Sequence, residues 1–286
     1  GSSTPVVIPT NISARYLDWD ETFSLEPSSS LKIIVPDFRV KNNRTGVLTY
    51  NIQTSIDDAI SGDILFAWAG IYYEYLEIGN PLTIRGNGTS TIVDGTFTEG
   101  YEEREGIFEI TSNDVTISDL LVSGSNDVIE EGISVIGSDD VTIRNVKFIN
   151  NTISIYVDDS TDLEISQSTF DVSDYGIYAT GSSTRIVIEQ SKFRNGTSGN
   201  ACIYQLPSDD NGNGLIRNNT FDDCYTAWKS GSNANVFQNN TLNDNINGIQ
   251  LNGVESYDNL VSWNTISDSD YGIFIYNSAK DNRFFN

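Results

Sequence analysis

The sequence predicts an all-β solenoid, a parallel β-helix with about 22–26 residues per coil. The first observation is a six-residue phrase that recurs at intervals of about 21–28 residues along the second half of the chain. Its copies are IRNVKF, ISQSTF, IEQSKF, IRNNTF, FQNNTL and VSWNTI, which end at Phe148, Phe170, Phe193, Phe221, Leu242 and Ile266. The second observation is that no useful stretch with helical periodicity follows about residue 62. Each repeat therefore consists of strands and turns.

Each copy of the phrase has the pattern of one strand. In the first copy, Val141 and Ile143 alternate with Thr142 and Arg144. Strands of successive coils stack about 4.8 Å apart, so the phrase-ending residues should form one apolar stack. Two positions earlier the coils carry Val146, Ser168, Ser191, Asn219, Asn240 and Asn264. We expect this column to hydrogen-bond from rung to rung and to satisfy backbone groups of the turns.

A second short strand follows in each coil and carries the candidate binding residues. The position after its inward Ile or Ala reads Ser134, Tyr156, Tyr178, Tyr204, Trp228, Gln250 and Phe274. By alternation these side chains point outward on consecutive coils. Sugar rings stack on aromatic faces, so we predict a carbohydrate-binding stripe made of Tyr156, Tyr178, Tyr204, Trp228, Lys229 and Phe274. Two alternatives remain open: the aromatic residues pack on the sheet, or they form a protein interface.

Composition excludes several classes of partner and reaction. The formal net charge of −24 argues against nucleic acid or an anionic membrane as a partner, and no apolar run is long enough to span a bilayer. The chain contains no histidine, which excludes Ser-His-Asp and Cys-His catalysis. Carboxylate chemistry remains, and acidic pairs such as Asp209 and Asp210 are candidates for Ca²⁺ binding or catalysis near Lys229.

Cysteines and sequons bear on localisation. Cys202 and Cys224 fall on successive coils but are offset along the strand, so a disulfide and two free thiols are both compatible with the sequence. Seven Asn-X-Ser/Thr sequons favour an exported glycoprotein; they begin at Asn11, Asn43, Asn87, Asn150, Asn195, Asn218 and Asn239.

The segment Ile52–Gly95 resembles the opening of right-handed parallel β-helix proteins of the pectin-lyase-like superfold. It reads IQTSIDDAISGDILFAWAGIYYEYLEIGNPLTIRGNGTSTIVDG, and its pattern is most similar to the NosD-like group with PbH1 repeats. The resemblance covers residues 49–286 and implies an amphipathic helix that caps the first coil, with Asn51 or Thr49 as N-cap. Residues 1–48 would be a non-repeating leader, and we expect coils to continue beyond Asn286. The NosD-like label also implies copper handling, which we reject because the chain has neither His nor Met.

The functional expectation is an extracellular or cell-surface module that binds glycan or supports assembly, without chemistry of its own. A non-catalytic module of this kind requires no cofactor, although Ca²⁺ remains a candidate. The alternative is an enzyme, either a Ca²⁺-assisted polysaccharide lyase or a glycoside hydrolase with paired carboxylates.

Overall fold

A computed structural model describes residues 39–96, 106–124, 131–196, 200–207 and 212–285. One compact unit comprises Phe38–Asn286. The predicted acidic pair Asp209 and Asp210 lies outside the described residues.

Short strands dominate the described chain, as the repeat predicts. In chain order the elements are β1 (Val40–Asn42), β2 (Leu48–Thr49), α1 (Ile52–Asp57), β3 (Asp63–Ala67), β4 (Gly70–Tyr72), β5 (Leu76–Ile78), β6 (Leu82–Arg85), a 3₁₀ turn (Gly88–Ser90), β7 (Thr91–Asp94), β8 (Gly106–Ile110), β9 (Thr116–Ser123), β10 (Glu131–Ile136), β11 (Thr142–Asp158), β12 (Glu164–Ser166), β13 (Thr169–Thr180), β14 (Val187–Glu189), β15 (Lys192–Arg194), β16 (Ala201–Gln205), β17 (Leu215–Arg217), β18 (Thr220–Asp222), β19 (Thr226–Ser230), β20 (Val236–Gln238), β21 (Thr241–Asn243), β22 (Asn247–Asn252), β23 (Leu260–Ser262), β24 (Thr265–Ser267), β25 (Tyr271–Tyr276) and β26 (Arg283–Phe285).

The strands form three parallel sheets, and each coil contributes one strand to each sheet in turn. Sheet A contains β3, β6, the start of β9, the start of β11, β12, β14, β17, β20, β23 and β26. Sheet B contains β4, β7, the end of β9, the middle of β11, the start of β13, β15, β18, β21 and β24. Sheet C contains β5, β8, β10, the ends of β11 and β13, β16, β19, β22 and β25. The predicted right-handed parallel β-helix is confirmed.

A left-handed residue bends the chain between sheets A and B on successive coils. This corner column has φ values near +55° and consists of Asp119, Asn145, Gln167, Gln190, Asn218, Asn239 and Trp263. Asn and Asp tolerate this backbone conformation better than other non-glycine residues. In the "RNN" and "QNN" of the phrase, the first residue therefore ends a strand of sheet A, the second is the corner residue and the third is the buried polar residue.

The phrase-ending residues form the predicted apolar stack. Phe148, Phe170, Phe193 and Phe221 pair in register on sheet B and continue to Leu242 and Ile266. The four phenylalanine rings lie 4.4–4.9 Å apart and nearly parallel. All four are fully buried, so the repeat spacing places one large apolar side chain in each coil.

The predicted polar column forms a continuous hydrogen-bonded ladder. The backbone N–H of Asn219 donates to Asn240 Oδ1 at 2.9 Å, and the N–H of Asn240 donates to Asn264 Oδ1 at the same distance. Serines replace asparagine on earlier coils, where Ser168 Oγ accepts from the N–H of Val146 at 3.2 Å. A second ladder runs through Asn235, Asn259 and Asn282. These buried amides pair backbone groups that the bends remove from the sheets.

Helix α1 caps the first coil as predicted, with Asn51 as its N-cap. The Asn51 Oδ1 accepts from the N–H of Thr54 at 3.0 Å, while the Glu74 carboxylate accepts from the N–H groups of Ile52 and Gln53. Ile52 and Ile56 are buried against the first coil. Strands β1 and β2, from the predicted leader, form an antiparallel hairpin, and β1 also pairs with β3.

An ion pair joins this hairpin to the first coil. Arg44 Nε and Nη2 donate to the two carboxylate oxygens of Asp63, whose side chain is 1% exposed. Asn42 Nδ2 and the N–H of Ile60 also donate to Asp63 Oδ2. The Arg44 guanidinium, followed by these hydrogen bonds, holds the pKa of Asp63 well below its usual range.

Cys202 and Cys224 form a disulfide, with their Cα atoms 6.1 Å apart. Cys202 lies in β16, and Cys224 lies in the turn that leads into β19 on the next coil. Because one cysteine lies in a strand and the other in a turn, the disulfide forms even though the two residues are offset along the strand direction.

Candidate functional site

The outward column on sheet C contains five of the six predicted binding residues. Its register runs from Ser134 through Tyr156, Tyr178, Tyr204, Lys229 and Gln250 to Phe274. The flanking residues Ile155, Ile177, Ile203 and Ile249 are buried, so the column faces away from the core. The structure therefore brings Tyr156, Tyr178, Tyr204, Lys229 and Phe274 into one row.

The prediction that Trp228 points outward is wrong. Trp228 pairs in register with the inward Ile203 and Ile249, and its side chain is fully buried. Its ring stacks on Phe237 with centroids 4.7 Å apart, and Nε1 donates to Gln205 Oε1 at 3.0 Å.

The error arose from aligning Ala227 with the inward isoleucines. Ala227 instead occupies a column of small residues that includes Gly176 and Cys202. A Cβ at Gly176 would lie 3.0 Å from the Phe193 ring and 2.5 Å from the carbonyl oxygen of Cys202, which explains why this column is small. The small column is a signal in the sequence, but Ala227 is apolar as well as small, so only the register between coils assigns Lys229 to the outward row.

The tyrosines of the row pack against one another rather than presenting open ring faces. Tyr156 and Tyr178 stack with centroids 5.9 Å apart, and Tyr178 meets Tyr204 edge-on at 5.5 Å. Tyr175, outside the predicted row, stacks on Tyr204 at 5.9 Å. Burial raises the pKa of Tyr175, Tyr178 and Tyr204. The tyrosine half of the stripe thus packs on the sheet, which the first alternative expected, and carbohydrate binding by these tyrosines stays a prediction.

The row opens into a groove next to the tyrosine cluster. This groove, of about 280 Å³, is lined by Tyr175, Asn200, Ala201, Tyr225, Thr226, Lys229, Asn247, Gln250 and Phe274. Phe274 is 42% exposed at one end. The groove combines aromatic surface with amide, hydroxyl and ammonium groups, and we call it the sheet C groove.

Lys229 is the charged side chain of the sheet C groove. Its Nζ lies 4.5 Å from the centroid of the Tyr204 ring, within the range of a cation–π contact. Burial lowers the pKa of the Lys229 ammonium. Across the described part of the chain, the ion pairs do not include Lys229, so its charge is available to a ligand.

Hydrogen bonds fix the polar side chains beside Lys229. Gln250 Nε2 donates to the Tyr276 hydroxyl at 2.6 Å, and Asn247 Nδ2 donates to Thr226 Oγ1 at 3.2 Å. At the opposite end the Tyr175 hydroxyl donates to Asn200 Oδ1 at 3.0 Å. These contacts hold donors and acceptors in place before any ligand arrives.

Sequence reasoning missed Tyr175, Tyr225 and Asn247. Tyr175, Thr226 and Asn247 precede the outward row by three residues, where the strand enters sheet C. On consecutive coils this column reads Ile153, Tyr175, Ala201, Thr226 and Asn247. Because its residue types vary, the repeat gives no signal for a binding column there. Tyr225 directly follows the bridged Cys224 and lines the groove, in a turn where the repeat sets no pattern.

No group of three or more Cys, Asp or Glu side chains that could hold a metal ion occurs within the described ranges. In the same ranges, no helix is long and apolar enough to cross a membrane.

Known proteins with a similar fold process polysaccharides. An alginate lyase from Paenibacillus sp. superposes with a TM-score of 0.64 at 15% identity, covering 82% of this chain and 94% of the enzyme. The pectin methylesterase PemA from Erwinia chrysanthemi gives 0.57 at 12% identity, covering 85% and 91%. A family 28 exopolygalacturonase from Yersinia enterocolitica gives 0.59 at 12% identity, covering 86% and 64%. At such identities these likenesses show the fold.

Sequence comparison gives the family. No curated protein matches the chain. The profile of the family described as "Right handed beta helix region" matches residues 23–193 and 154–286. Since these matches extend over most of the sequence and the parallel sheets wind as that family requires, the chain belongs to the right-handed β-helix family.

Proposed function

We propose that this β-helix binds a polysaccharide in the sheet C groove, without chemistry of its own. The observation that carries the proposal is Lys229, which has no ion-pair partner among the described residues and lies among fixed amides and partly exposed aromatic rings. Sugar rings present apolar faces to aromatic side chains and hydroxyl groups to polar ones. The groove offers both kinds of surface over neighbouring rungs, which are about 4.8 Å apart.

The structural neighbours support a carbohydrate ligand in general terms. They include an alginate lyase, a pectin methylesterase and an exopolygalacturonase. The Cys202–Cys224 disulfide supports an oxidising compartment, and hence the proposed extracellular or cell-surface location.

Binding to a panel of neutral and acidic polysaccharides tests the proposal. Phe274→Ala and Lys229→Gln should each weaken binding about tenfold, the effect of truncating one contact residue. Isothermal titration calorimetry and affinity electrophoresis would measure the change.

Two matched controls separate the groove from general surface effects. Lys192→Gln removes the same charge from an exposed position on sheet B, and Tyr73→Ala removes an aromatic side chain that is 58% exposed near sheet B. Both should bind like wild type. Equal losses in all four variants, or no binding to any polymer, would contradict the proposal.

The enzyme alternative is tested in the same samples. Ca²⁺ binding and catalysis by Asp209, Asp210 and Lys229 remain predictions. Release of unsaturated products or reducing ends would show that the chain is an enzyme, and loss of release on chelation would favour the Ca²⁺-assisted lyase. Concentration-dependent self-association without any ligand would instead favour the assembly role.

A further inference from the structure

A second groove lies on sheet A, away from the sheet C groove. It has a volume of about 460 Å³ and is lined by Arg85, Thr116, Ser118, Asp119, Thr142, Arg144, Asn145 and Gln167. The inward neighbours Ile84, Ile117 and Ile143 are fully buried, so strand alternation directs the groove residues outward.

Two arginines flank this groove at a fixed separation. Arg85 pairs in register with Ser118, and Ser118 pairs with Arg144. The Cα atoms of the two arginines are therefore two rungs apart, about 10 Å at the strand spacing, and Ser118 lies between them.

Hydrogen bonds through Nε orient both guanidinium groups. Arg85 Nε donates to Asp119 Oδ2 at 3.1 Å, and Arg144 Nε donates to Gln167 Oε1 at 3.1 Å. Asn145 Nδ2 also donates to Asp119, at 2.7 Å. The terminal amino groups of Arg144 have no partner among the described residues, and neither do the hydroxyls of Thr116, Ser118 and Thr142.

The charge balance of this groove is opposite to that of the whole chain. Two guanidinium groups and one carboxylate line it, whereas the chain carries a formal net charge of −24. The partner of Arg144 is a neutral amide. Arg217, in the same column of sheet A, instead pairs with the Glu189 carboxylate on the adjacent rung, at 2.7 Å. The neighbours of Arg144 in that column are Ser118 and Ser166.

We propose that the sheet A groove binds an oxyanion, the sulfate or carboxylate group of an acidic saccharide. Arginine presents several N–H donors in a plane and matches oxyanions well. The unpartnered hydroxyls between the arginines add neutral donors to the same surface. This site does not depend on the sheet C groove.

Titration with dextran sulfate, polygalacturonate and neutral dextran at low ionic strength tests the proposal. Dextran sulfate and polygalacturonate distinguish the two oxyanions, and binding of either one supports the proposal. Arg144→Gln and Arg85→Gln should each weaken that binding about fivefold, the effect of one exposed charge contact. Sodium sulfate should also shift the Nε–Hε NMR signal of Arg144.

Arg217→Gln is the matched control, because it makes the same charge change in the same column. It should leave polyanion binding unchanged. The proposal fails if neither polyanion binds, if Arg144→Gln weakens dextran binding as much as polyanion binding, or if Arg217→Gln weakens polyanion binding as much as Arg144→Gln. Circular dichroism spectra of all variants would confirm that they fold.

Discussion

Trp228 is the largest fully buried side chain of the described core. Its indole N–H is satisfied by Gln205, whose Nε2 in turn donates to Asn235 Oδ1 at 3.2 Å in the second ladder. The ring of Trp228 therefore packs in the apolar core, while its N–H belongs to a buried polar network with Gln205 and Asn235. Such an arrangement is stable only when every buried polar group has a partner.

Trp228→Ala should destabilise the protein by about 3–5 kcal/mol, the range for deletion of a buried tryptophan. Trp228→Phe should cost less but leave Gln205 Oε1 unpaired. Urea unfolding followed by circular dichroism would measure both. The control is Trp263→Ala, because Trp263 is 63% exposed at a corner; a comparable loss there would contradict the assignment of Trp228 to the core.

Asp63 makes stability depend on acid pH. Its pKa is depressed far below the ordinary range in the folded state, so its ionised form contributes fully to stability above the ordinary aspartate pKa of about 4, and this contribution is lost progressively as pH falls from there through the depressed pKa. Wild type and Asp63→Asn should therefore differ most in unfolding free energy at pH 7, and the difference should begin to shrink as pH falls from about 4 to 3. A constant difference across that range would contradict the ion pair with Arg44.

At the scale of elements, the two polar ladders stabilise the bends between the strands of each coil. At each left-handed corner, backbone N–H and C=O groups lose their partners in the sheets. The side chain of the Ser or Asn that follows the corner hydrogen-bonds to such groups instead. Asn240 shows the full pattern: it accepts from the N–H of Asn219 and donates to the carbonyl of Ile216 at 3.0 Å. The same side chain thus serves two backbone groups of the preceding coil.

Asn240→Ala should cost at least about 2 kcal/mol, because it leaves a buried N–H and a buried carbonyl unpaired. Thermal and urea unfolding would measure the loss. Gln238→Ala, two residues earlier on the outward side of β20, is the control and should change stability by less than about 0.5 kcal/mol. Similar values for the two variants would argue against a structural role for the ladder.

At the scale of the whole molecule, each coil contacts mainly the coils before and after it, as in other solenoids. The disulfide joins two such coils and closes a loop with a sequence separation of 22. It also anchors Ala201 and Tyr225, which line the sheet C groove beside the two cysteines. The disulfide and the hydrogen bonds of Asn247 and Gln250 thus all lie at or next to the sheet C groove.

Reduction of the disulfide should lower the unfolding free energy by about 3 kcal/mol, as expected for a loop of this length. Unfolding with and without tris(2-carboxyethyl)phosphine would measure the change. A Cys202→Ala/Cys224→Ala double variant should be insensitive to the reductant, and an equal response of that variant would show that the effect does not come from the disulfide.

The sequence by itself determined the solenoid, the phenylalanine stack and the polar ladder. Each is a local pattern repeated once per coil, so spacing and alternation suffice to place it. The tertiary structure decided which side Trp228 faces, how the tyrosine rings pack, the pairing of Cys202 with Cys224, and the two grooves. These features depend on register between coils and on residues far apart in the chain, such as Tyr225 and Phe274 or Arg85 and Arg144. A shift of one residue in a strand exchanges its inner and outer faces, and only the packed coils fix that register.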